Sequence, residues 1–512
     1  MSKIRFFNNK WLAGLLAFLA WSLVFAIIYA QSPLYTSNQN QYFLHGLSHA
    51  GIGYLAHDWL TNTIDPLPVF SLLVQVTYLI CKSGVLFYLY YALLIGVYLV
   101  SSLGIADILF NLRQSKARSL VFIVLFLGIH SALFHYVLSR VLGTERPFLL
   151  EGGVAGQRVL GQVFQPSTFG VFLLLSLYLF LRKRSFLSLL SLAVAVSFHS
   201  VYLLSAALLV LGYLWLVYKE KQRFKDPALF GLLALLMVAP VLAYTMIVFK
   251  PTTMEITRQV NEILVNFRNP QHAIPSGWFD WSVVVQTIIV LVVLFLIRRE
   301  RLFPILGILV LGTTLLTIFQ VITNNNTLAL LYPWRTSVIL VPVSTTILLA
   351  FAVTKILDRW KADPGRMESW IRLPCLVMLA LLLFVGASRF QIDLARQKAD
   401  PAWAVMNYVA EHKYANDVYL VPVKMEDFRL ATGAPVFVDF KSIPYRDTDV
   451  LEWYQRFNLA NLFYQHADCN MLSIFYKQGI THVVLPVDFP ENCPQMVKIY
   501  ADSAYRLYEL TP

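Results

Sequence analysis

The sequence predicts a polytopic α-helical membrane protein of about eleven transmembrane helices with a C-terminal extracytoplasmic α/β domain. Of its 512 residues, 58% are hydrophobic and 14% are charged, which is more apolar surface than a soluble domain can bury. Long apolar runs recur from Trp11 to about Val385, and after Arg389 charges become frequent and the runs shorten to strand length. We therefore expect a helical bundle at 1–388 and a separate domain at 389–512.

The apolar runs define the predicted spans, because a hydrocarbon core of about 30 Å needs a helix of about 20 residues. In chain order they lie at 11–30, 86–110, 118–137, 167–181, 185–199, 201–218, 229–249, 281–297, 303–322, 338–354 and 373–388. The segment 69–81 is short for a span. Since counting it as one would move every later basic cluster outside, we interpret it as a helix in the outer interface or packed on the bundle.

The net charge of +12 is concentrated in short basic clusters that occupy alternate connections. By the positive-inside rule these connections are cytoplasmic, so the pattern sets topology and gives no reason to expect a nucleic-acid partner. The predicted location is a plasma or inner membrane, with a cytoplasmic N-terminus and an extracytoplasmic tail. The clusters hold 21 Lys and Arg, at 3, 5, 10, 113, 116, 118, 182, 183, 184, 219, 221, 223, 225, 298, 299, 301, 355, 359, 361, 366 and 372.

The tail alternates helix and strand patterns, which is typical of a small α/β domain of roughly 120 residues. Helical spacing is found at 403–412, 451–464 and 469–477, and strand patterns at 417–422, 434–440 and 481–486. The last two runs, at 496–500 and 505–510, predict a hairpin. Because an extracytoplasmic location permits oxidation, Cys469 and Cys493 could form a disulfide.

No pattern in the sequence predicts a cofactor. The four cysteines have no metal-ligand spacing, and phosphate loops, HExxH zinc helices and GxSxG elbows are missing. A divalent metal is not indicated.

The first outer connection contains the stretch HDWLTNTIDPLP, in which Asp58 and Asp65 lie seven residues apart with no Lys or Arg nearby. A carboxylate of modestly raised pKa can serve as a general base. Two simpler interpretations stay open. Asp58 fits a helix cap or loop residue beside Trp59, and Asp65, which precedes Pro66, fits a turn.

Arginines in the outer connections are candidate phosphate ligands, because arginine binds phosphate with two parallel hydrogen bonds. These are Arg146, Arg158 and Arg335. Arg335 follows Trp334 and also fits a snorkelling residue beside an interfacial tryptophan. His199, at the outer end of a span, is a further candidate and also fits an interfacial or hydrogen-bonded histidine.

The layout resembles the GT-C superfamily of integral-membrane glycosyltransferases, which includes oligosaccharyltransferases, protein mannosyltransferases and aminoarabinose transferases. The tail segments "WAVMNYVAEHKYANDVYLVP", "GAPVFVDFKSIPY" and "GITHVVLPV" are similar to outer domains of its uncharacterised bacterial members. The resemblance implies transfer of a sugar from a polyprenyl-phosphate-linked donor at the outer face, with an acidic residue of the first outer loop as base. That role falls on Asp58 or Asp65, with arginines as contacts to the carrier.

The sequence departs from the metal-dependent members of that superfamily. No Asp-x-Asp occurs in the first outer loop and no WWDYG-like sequence in the tail, so a metal-independent monosaccharide transferase fits better. Two alternatives remain: a non-catalytic envelope-assembly or polysaccharide-binding membrane protein, and a transporter or flippase. Transporters usually carry internal repeats and broken helices near the membrane midplane. Neither feature is pronounced in this sequence.

Overall fold

A helix occupies the place of every predicted span. The computed structural model describes residues 9–143, 147–359, 364–490 and 493–511. Its long apolar helices are Asn9–Tyr29, Val85–Phe110, Lys116–Ile129, Ala132–Leu142, Val171–Leu181, Ser185–Phe198, Leu203–Lys221, Lys225–Val248, Trp281–Leu296, Leu302–Thr323, Ser337–Arg359 and Pro364–Lys398. Short helical turns precede three of them, at Pro166–Gly170, Ser200–Tyr202 and Pro333–Thr336.

Length and apolarity together make the chain a multi-pass membrane protein. Among the described residues, seven helices can each cross a membrane, and the pair Lys116–Ile129 and Ala132–Leu142 makes an eighth if it acts as one bent span. Three shorter apolar helices, Pro166–Leu181, Ser185–Phe198 and Trp281–Leu296, account for the remaining predicted spans. The predicted class, a polytopic helical membrane protein with a small C-terminal sheet domain, is confirmed.

The predicted span 118–137 is a broken helix with a bend of 51°. The break lies at His130 and Ser131, where polar side chains satisfy the backbone groups that the interruption frees. The Ser131 hydroxyl caps the second helix by accepting from Phe134 N at 3.1 Å, and it donates to Gly128 O at 2.7 Å. His130 Nδ1 lies 2.7 Å from Phe126 O. The break therefore brings buried histidine into an otherwise apolar segment.

The chain forms two compact units. The first takes in the chain up to Gln31, Phe87–Val241 and Leu264–Phe390. The second takes in Ser32–Leu86, Leu242–Ile263 and Gln391–Pro512. The first outer connection and the C-terminal segment thus belong to one unit, which requires them to lie on the same side of a membrane. Which side that is stays the prediction of the basic clusters.

Within the second unit, Ser32–Leu86 contains short helices and one longer one. Their bounds are Gln39–Tyr42, Leu44–His49, Leu55–His57, Leu60–Asn62 and Pro68–Cys81. Helix Pro68–Cys81 corresponds to the ambiguous segment 69–81. It buries Phe70 and Val74, whereas Leu72 and Ile80 are 56% and 75% exposed. An apolar helix with one buried and one exposed apolar face suits a membrane interface, and that placement stays a prediction.

Two glycines allow the first outer connection to approach the C-terminal segment closely. Tyr54 N donates to Gly433 O at 2.8 Å, next to Gly53, which has φ +55°. A Cβ on Gly53 would lie 2.4 Å from Gly433 O. Only glycine tolerates both this backbone conformation and this contact, so the pair fixes how these two segments meet inside the second unit.

The C-terminal sheet has the order β1-β2-β4-β3. Its strands are β1 Tyr419–Leu420, β2 His482–Pro486, β3 Met496–Ala501 and β4 Tyr505–Leu510, and its helices are Trp403–His412, Phe428–Thr432, Asp447–His466 and Asn470–Lys477. Strands β1 and β2 are parallel, whereas β2–β4 and β3–β4 are antiparallel. The predicted terminal hairpin is therefore present, and the helices and strands alternate as expected.

The predicted strand 434–440 forms only one bridge, Tyr419 to Val436. The segment lies beside β1, because Phe437 N donates to Tyr419 O at 2.9 Å. Its backbone also binds a side chain. On its other edge Val436 N donates to the Asp58 carboxylate, so this group is not available to a second strand. The disulfide between Cys469 and Cys493 is present, with Cα atoms 5.3 Å apart.

Candidate functional site

A glycine-containing loop in the first unit, residues 147–158, carries one of the predicted arginines. Gln286, on helix Trp281–Leu296, donates through Nε2 to Leu149 O and Gly152 O, both at 3.1 Å. Val154 N donates to Ser337 Oγ at 2.8 Å. Two transmembrane helices therefore hold the loop, because each contributes a buried side chain that satisfies its backbone groups.

The loop borders a cavity of about 490 Å³, which is within the range of small-ligand sites. The cavity is lined by Phe148, Gly152, Arg158, Trp278 and Gln286, among others. The Arg158 guanidinium stacks on the Phe148 ring at 3.6 Å from its centroid. Over the described residues, buried Nη1 of Arg158 has no hydrogen-bond partner, and neither has buried Oε1 of Gln286.

Glu151, on the same loop, is buried against two histidines. Its carboxylate lies 3.2 Å from His135 Nε2 and 3.5 Å from His130 Nε2, and the Tyr29 hydroxyl lies 3.0 Å from Oε1. Burial alone would raise the pKa of the Glu151 carboxyl, but His135, His130 and the Tyr29 hydrogen bond outweigh it and hold that pKa below its ordinary value. The carboxylate thus fixes the loop to the broken helix.

Arg335 and His199 meet in the first unit. Arg335 Nη2 lies 3.2 Å from His199 Nε2. Because arginine has only donors, this contact requires Nε2 of His199 to be unprotonated, and the ring is therefore neutral. The guanidinium also lies over the Tyr202 ring at 5.5 Å. The roles predicted for both residues as carrier contacts stay predictions.

Asp58 lies in a buried ion-pair network of the second unit. Its carboxylate is fully buried and Arg429 is 2% exposed. Arg429 Nε donates to Asp58 Oδ2 at 2.7 Å, and Nη1 donates to Asp439 Oδ2. Burial opposes the charge on Arg429, but the two carboxylates outweigh it and raise the pKa of Arg429.

Backbone donors complete the coordination of Asp58. Val436 N donates to Oδ2 and Leu60 N to Oδ1, both at 2.9 Å. Both carboxylate oxygens are thus engaged, and Asp58 joins the first outer connection to the C-terminal segment.

Asp65 lies in a turn before helix Pro68–Cys81 and is half-buried. Its Oδ1 accepts from Leu67 N at 2.9 Å, which is the local bond of an Asx turn. His45 is nearby, and its pKa lies below the ordinary value because burial outweighs the attraction of Asp65 and Asp58. The catalytic roles predicted for Asp58 and Asp65 stay predictions.

The predicted site residues therefore have different surroundings in the structure. Arg158 borders a cavity, Arg335 meets His199, and Asp58 is bound to an arginine. Arg146 lies outside the described residues. Sequence reasoning missed the histidines beside Glu151, although a polar His-Ser pair interrupting an apolar span at 130–131 is a signal that could have found them.

The chain matches one family model and is similar to a solved structure. A family model described as a domain of unknown function, DUF6798, matches residues 402–460. No curated protein matches the sequence. Among solved structures, the crystal structure of ArnT from Cupriavidus metallidurans bound to undecaprenyl phosphate is similar at 14% identity and a TM-score of 0.47, over 97% of this chain and 98% of that chain.

Proposed function

We propose that this chain is a membrane glycosyltransferase that takes a sugar from a polyprenyl-phosphate-linked donor at the extracytoplasmic face, with the cavity beside Arg158 as its phosphate site. The observation that carries the proposal is the buried Arg158 Nη1, which has no hydrogen-bond partner among the described residues. A buried donor without a partner costs about 1–3 kcal/mol, and more when charged. An anionic ligand removes this cost.

The setting of Arg158 favours a phosphate ester over a small inorganic anion. Within the described part of the chain no carboxylate forms an ion pair with Arg158, so its charge is available to a ligand. Phe148 covers one face of the guanidinium. It does not cover the edge of the guanidinium, where the N–H donors lie. Trp278 and Leu149 add apolar surface to the same cavity, and Gln286 Oε1 offers an acceptor for a sugar hydroxyl.

Arg158→Ala is expected to weaken binding of undecaprenyl phosphate about 10- to 100-fold, because hydrogen bonds to charged groups contribute about 1.5–3 kcal/mol. Native mass spectrometry of the full chain in detergent, titrated with that lipid, measures the change. Arg140→Ala is the matched control, since Arg140 is exposed and also lies over a ring, that of Tyr136. Equal affinity of wild type and Arg158→Ala would contradict the proposal.

We assign the role of catalytic base to Asp65 in preference to Asp58. Three donors lie within 2.9 Å of the Asp58 carboxylate and one of them is a buried guanidinium, so both carboxylate oxygens are already engaged. Asp65 is half-buried and accepts one backbone hydrogen bond. Its carboxylate is therefore the more accessible of the two predicted bases.

Asp65→Asn is expected to lower sugar transfer by about 10²- to 10⁴-fold, the usual contribution of a general base, without lowering thermal stability. Glycan and lipid analysis of a strain lacking the protein, complemented with wild type or Asp65→Asn, measures the effect. Glu255→Gln, which makes the same change at an exposed carboxylate of the same unit, is the control. Full complementation by Asp65→Asn would show that Asp65 is not the base.

A further inference from the structure

The second unit has a cleft of about 590 Å³ at the carboxyl ends of its two parallel strands. The chain leaving β1 contributes Lys424, and the chain leaving β2 contributes Asp488 and Phe489. Ligands of α/β sheets bind in crevices outside the carboxyl ends of parallel strands, and this volume is typical of a small-ligand site. We propose that this cleft binds a saccharide.

Hydrogen bonds hold the walls of the cleft in place. The Tyr464 hydroxyl, from helix Asp447–His466, lies 2.8 Å from Val484 O and 3.1 Å from Leu420 O, and its single hydrogen can be shared between these two acceptors. It thereby ties the helix to the end of β1 and to the middle of β2. Arg506 Nη2 donates to Phe489 O at 2.7 Å, which fixes the segment after β2. A site held this way loses little conformational entropy on binding.

The disulfide between Cys469 and Cys493 stabilises the same cleft. Cys469 follows the end of helix Asp447–His466, and Cys493 follows the segment that leaves β2. The bond therefore joins the segment after the helix that lines the cleft to the segment after β2.

The side chains lining the cleft match the two faces of a sugar. Asn461 and Gln465 are four residues apart on one helix and line the same wall. Each amide carries both donors and acceptors, as a sugar hydroxyl does. Tyr464 and Phe489, with ring centroids 6.1 Å apart, provide apolar aromatic surface for the C–H face of a ring.

The charge of the cleft selects a neutral ligand. Lys424 and Asp488 carry opposite charges and both are exposed at the cleft. An anionic ligand would gain from the first and lose from the second, so the Lys and Asp that line the cleft, beside His466, give no excess of positive charge of the kind that recognises phosphate. Hydroxyl groups, in contrast, can bind either side chain. This inference uses residues 420–506 alone and does not depend on the proposed transfer activity.

The test is ligand-observed saturation-transfer NMR of the full chain in lipid nanodiscs with three neutral disaccharides: cellobiose, chitobiose and mannobiose. We expect at least one to receive saturation. The variant carrying Asn461→Ala and Gln465→Ala is expected to weaken its binding about tenfold, because it removes roughly two neutral hydrogen bonds. Gln455→Ala is the matched control, since it lies on the same helix, is exposed and does not line the cleft.

The outcomes separate this cleft from a sugar site elsewhere in the chain. Loss of saturation in the double variant, with retention in Gln455→Ala and in Arg158→Ala, supports the proposal. Absence of saturation for all three disaccharides overturns it. Unchanged binding in the double variant also overturns it, because the sugar then binds at another place. Unchanged thermal unfolding of the double variant, measured in parallel, excludes loss of folding as the cause.

Discussion

Arg429→Ala is expected to lower the free energy of unfolding of the second unit by about 3–5 kcal/mol, the usual cost of removing one partner from a buried ion pair. The variant leaves the carboxylates of Asp58 and Asp439 buried without their shared cation. Backbone donors from Val436 and Leu60 remain for Asp58, but they carry no net charge. Two buried carboxylates in one site repel each other, so the loss exceeds that of an ordinary hydrogen bond.

Thermal unfolding of the purified chain in detergent, followed by tryptophan fluorescence, measures this change. Trp453 is a local reporter, because its Nε1 donates to Asp439 O at 3.0 Å. Arg446→Ala is the control, since the Arg446 side chain is 46% exposed in its pair with Asp449 and exposed pairs contribute about 0–1 kcal/mol.

A double-variant cycle identifies the ion pair as the cause. Asp58→Asn should cost much less in the Arg429→Ala background than in wild type, because the charge that it removes is then a source of repulsion. Additive effects would show that Arg429 stabilises the unit through packing alone. The cycle also bears on function, since an activity loss in Asp58→Asn with equal loss of folded protein reflects stability and not chemistry.

The membrane-spanning part of the fold could be predicted from the sequence because its signal is local. A run of apolar residues long enough to cross a bilayer is visible in any window, and each predicted span coincides with a helix. The bend at His130 and Ser131 was missed because hydropathy averages over the window and hides a single polar pair. The predicted strand 434–440 was wrong as a regular strand, since it forms a single bridge. Its other edge is bound through Val436 N by Asp58, a residue 378 positions away.

The candidate site could be predicted only in part, because its contacts also join residues that are far apart in the sequence. Charge and residue type were enough to select Arg158, but its cavity depends on Trp278 and Gln286, which lie more than a hundred positions away. Asp58 was selected because no basic residue is near it in sequence. Its cation is Arg429, 371 positions later. Such pairs form only when distant segments fold together, and a single sequence contains no record of them.

Glu151→Ala is expected to destabilise the first unit by about 1–3 kcal/mol for each buried polar group that it leaves unpaired, because it removes the carboxylate that these groups share. His135 and the Tyr29 hydroxyl lose the carboxylate that they contact at 3.2 and 3.0 Å. Glu300→Ala, at an exposed carboxylate of the same unit, is the control. Because residue 151 lies directly before Gly152 at the Arg158 cavity, the variant should also weaken undecaprenyl-phosphate binding.

The pH dependence of Glu151→Gln separates charge from packing. The pKa of Glu151 in the folded chain lies below its ordinary value, so its carboxylate stabilises the fold above the ordinary carboxyl pKa, and this contribution disappears as pH falls through the lowered value. The stability difference between wild type and Glu151→Gln should therefore be largest near neutral pH and shrink on acidification. A difference that stays constant from neutral to acidic pH would show that Glu151 acts by shape and hydrogen bonding, and that the histidines beside it contribute no charge interaction to the fold.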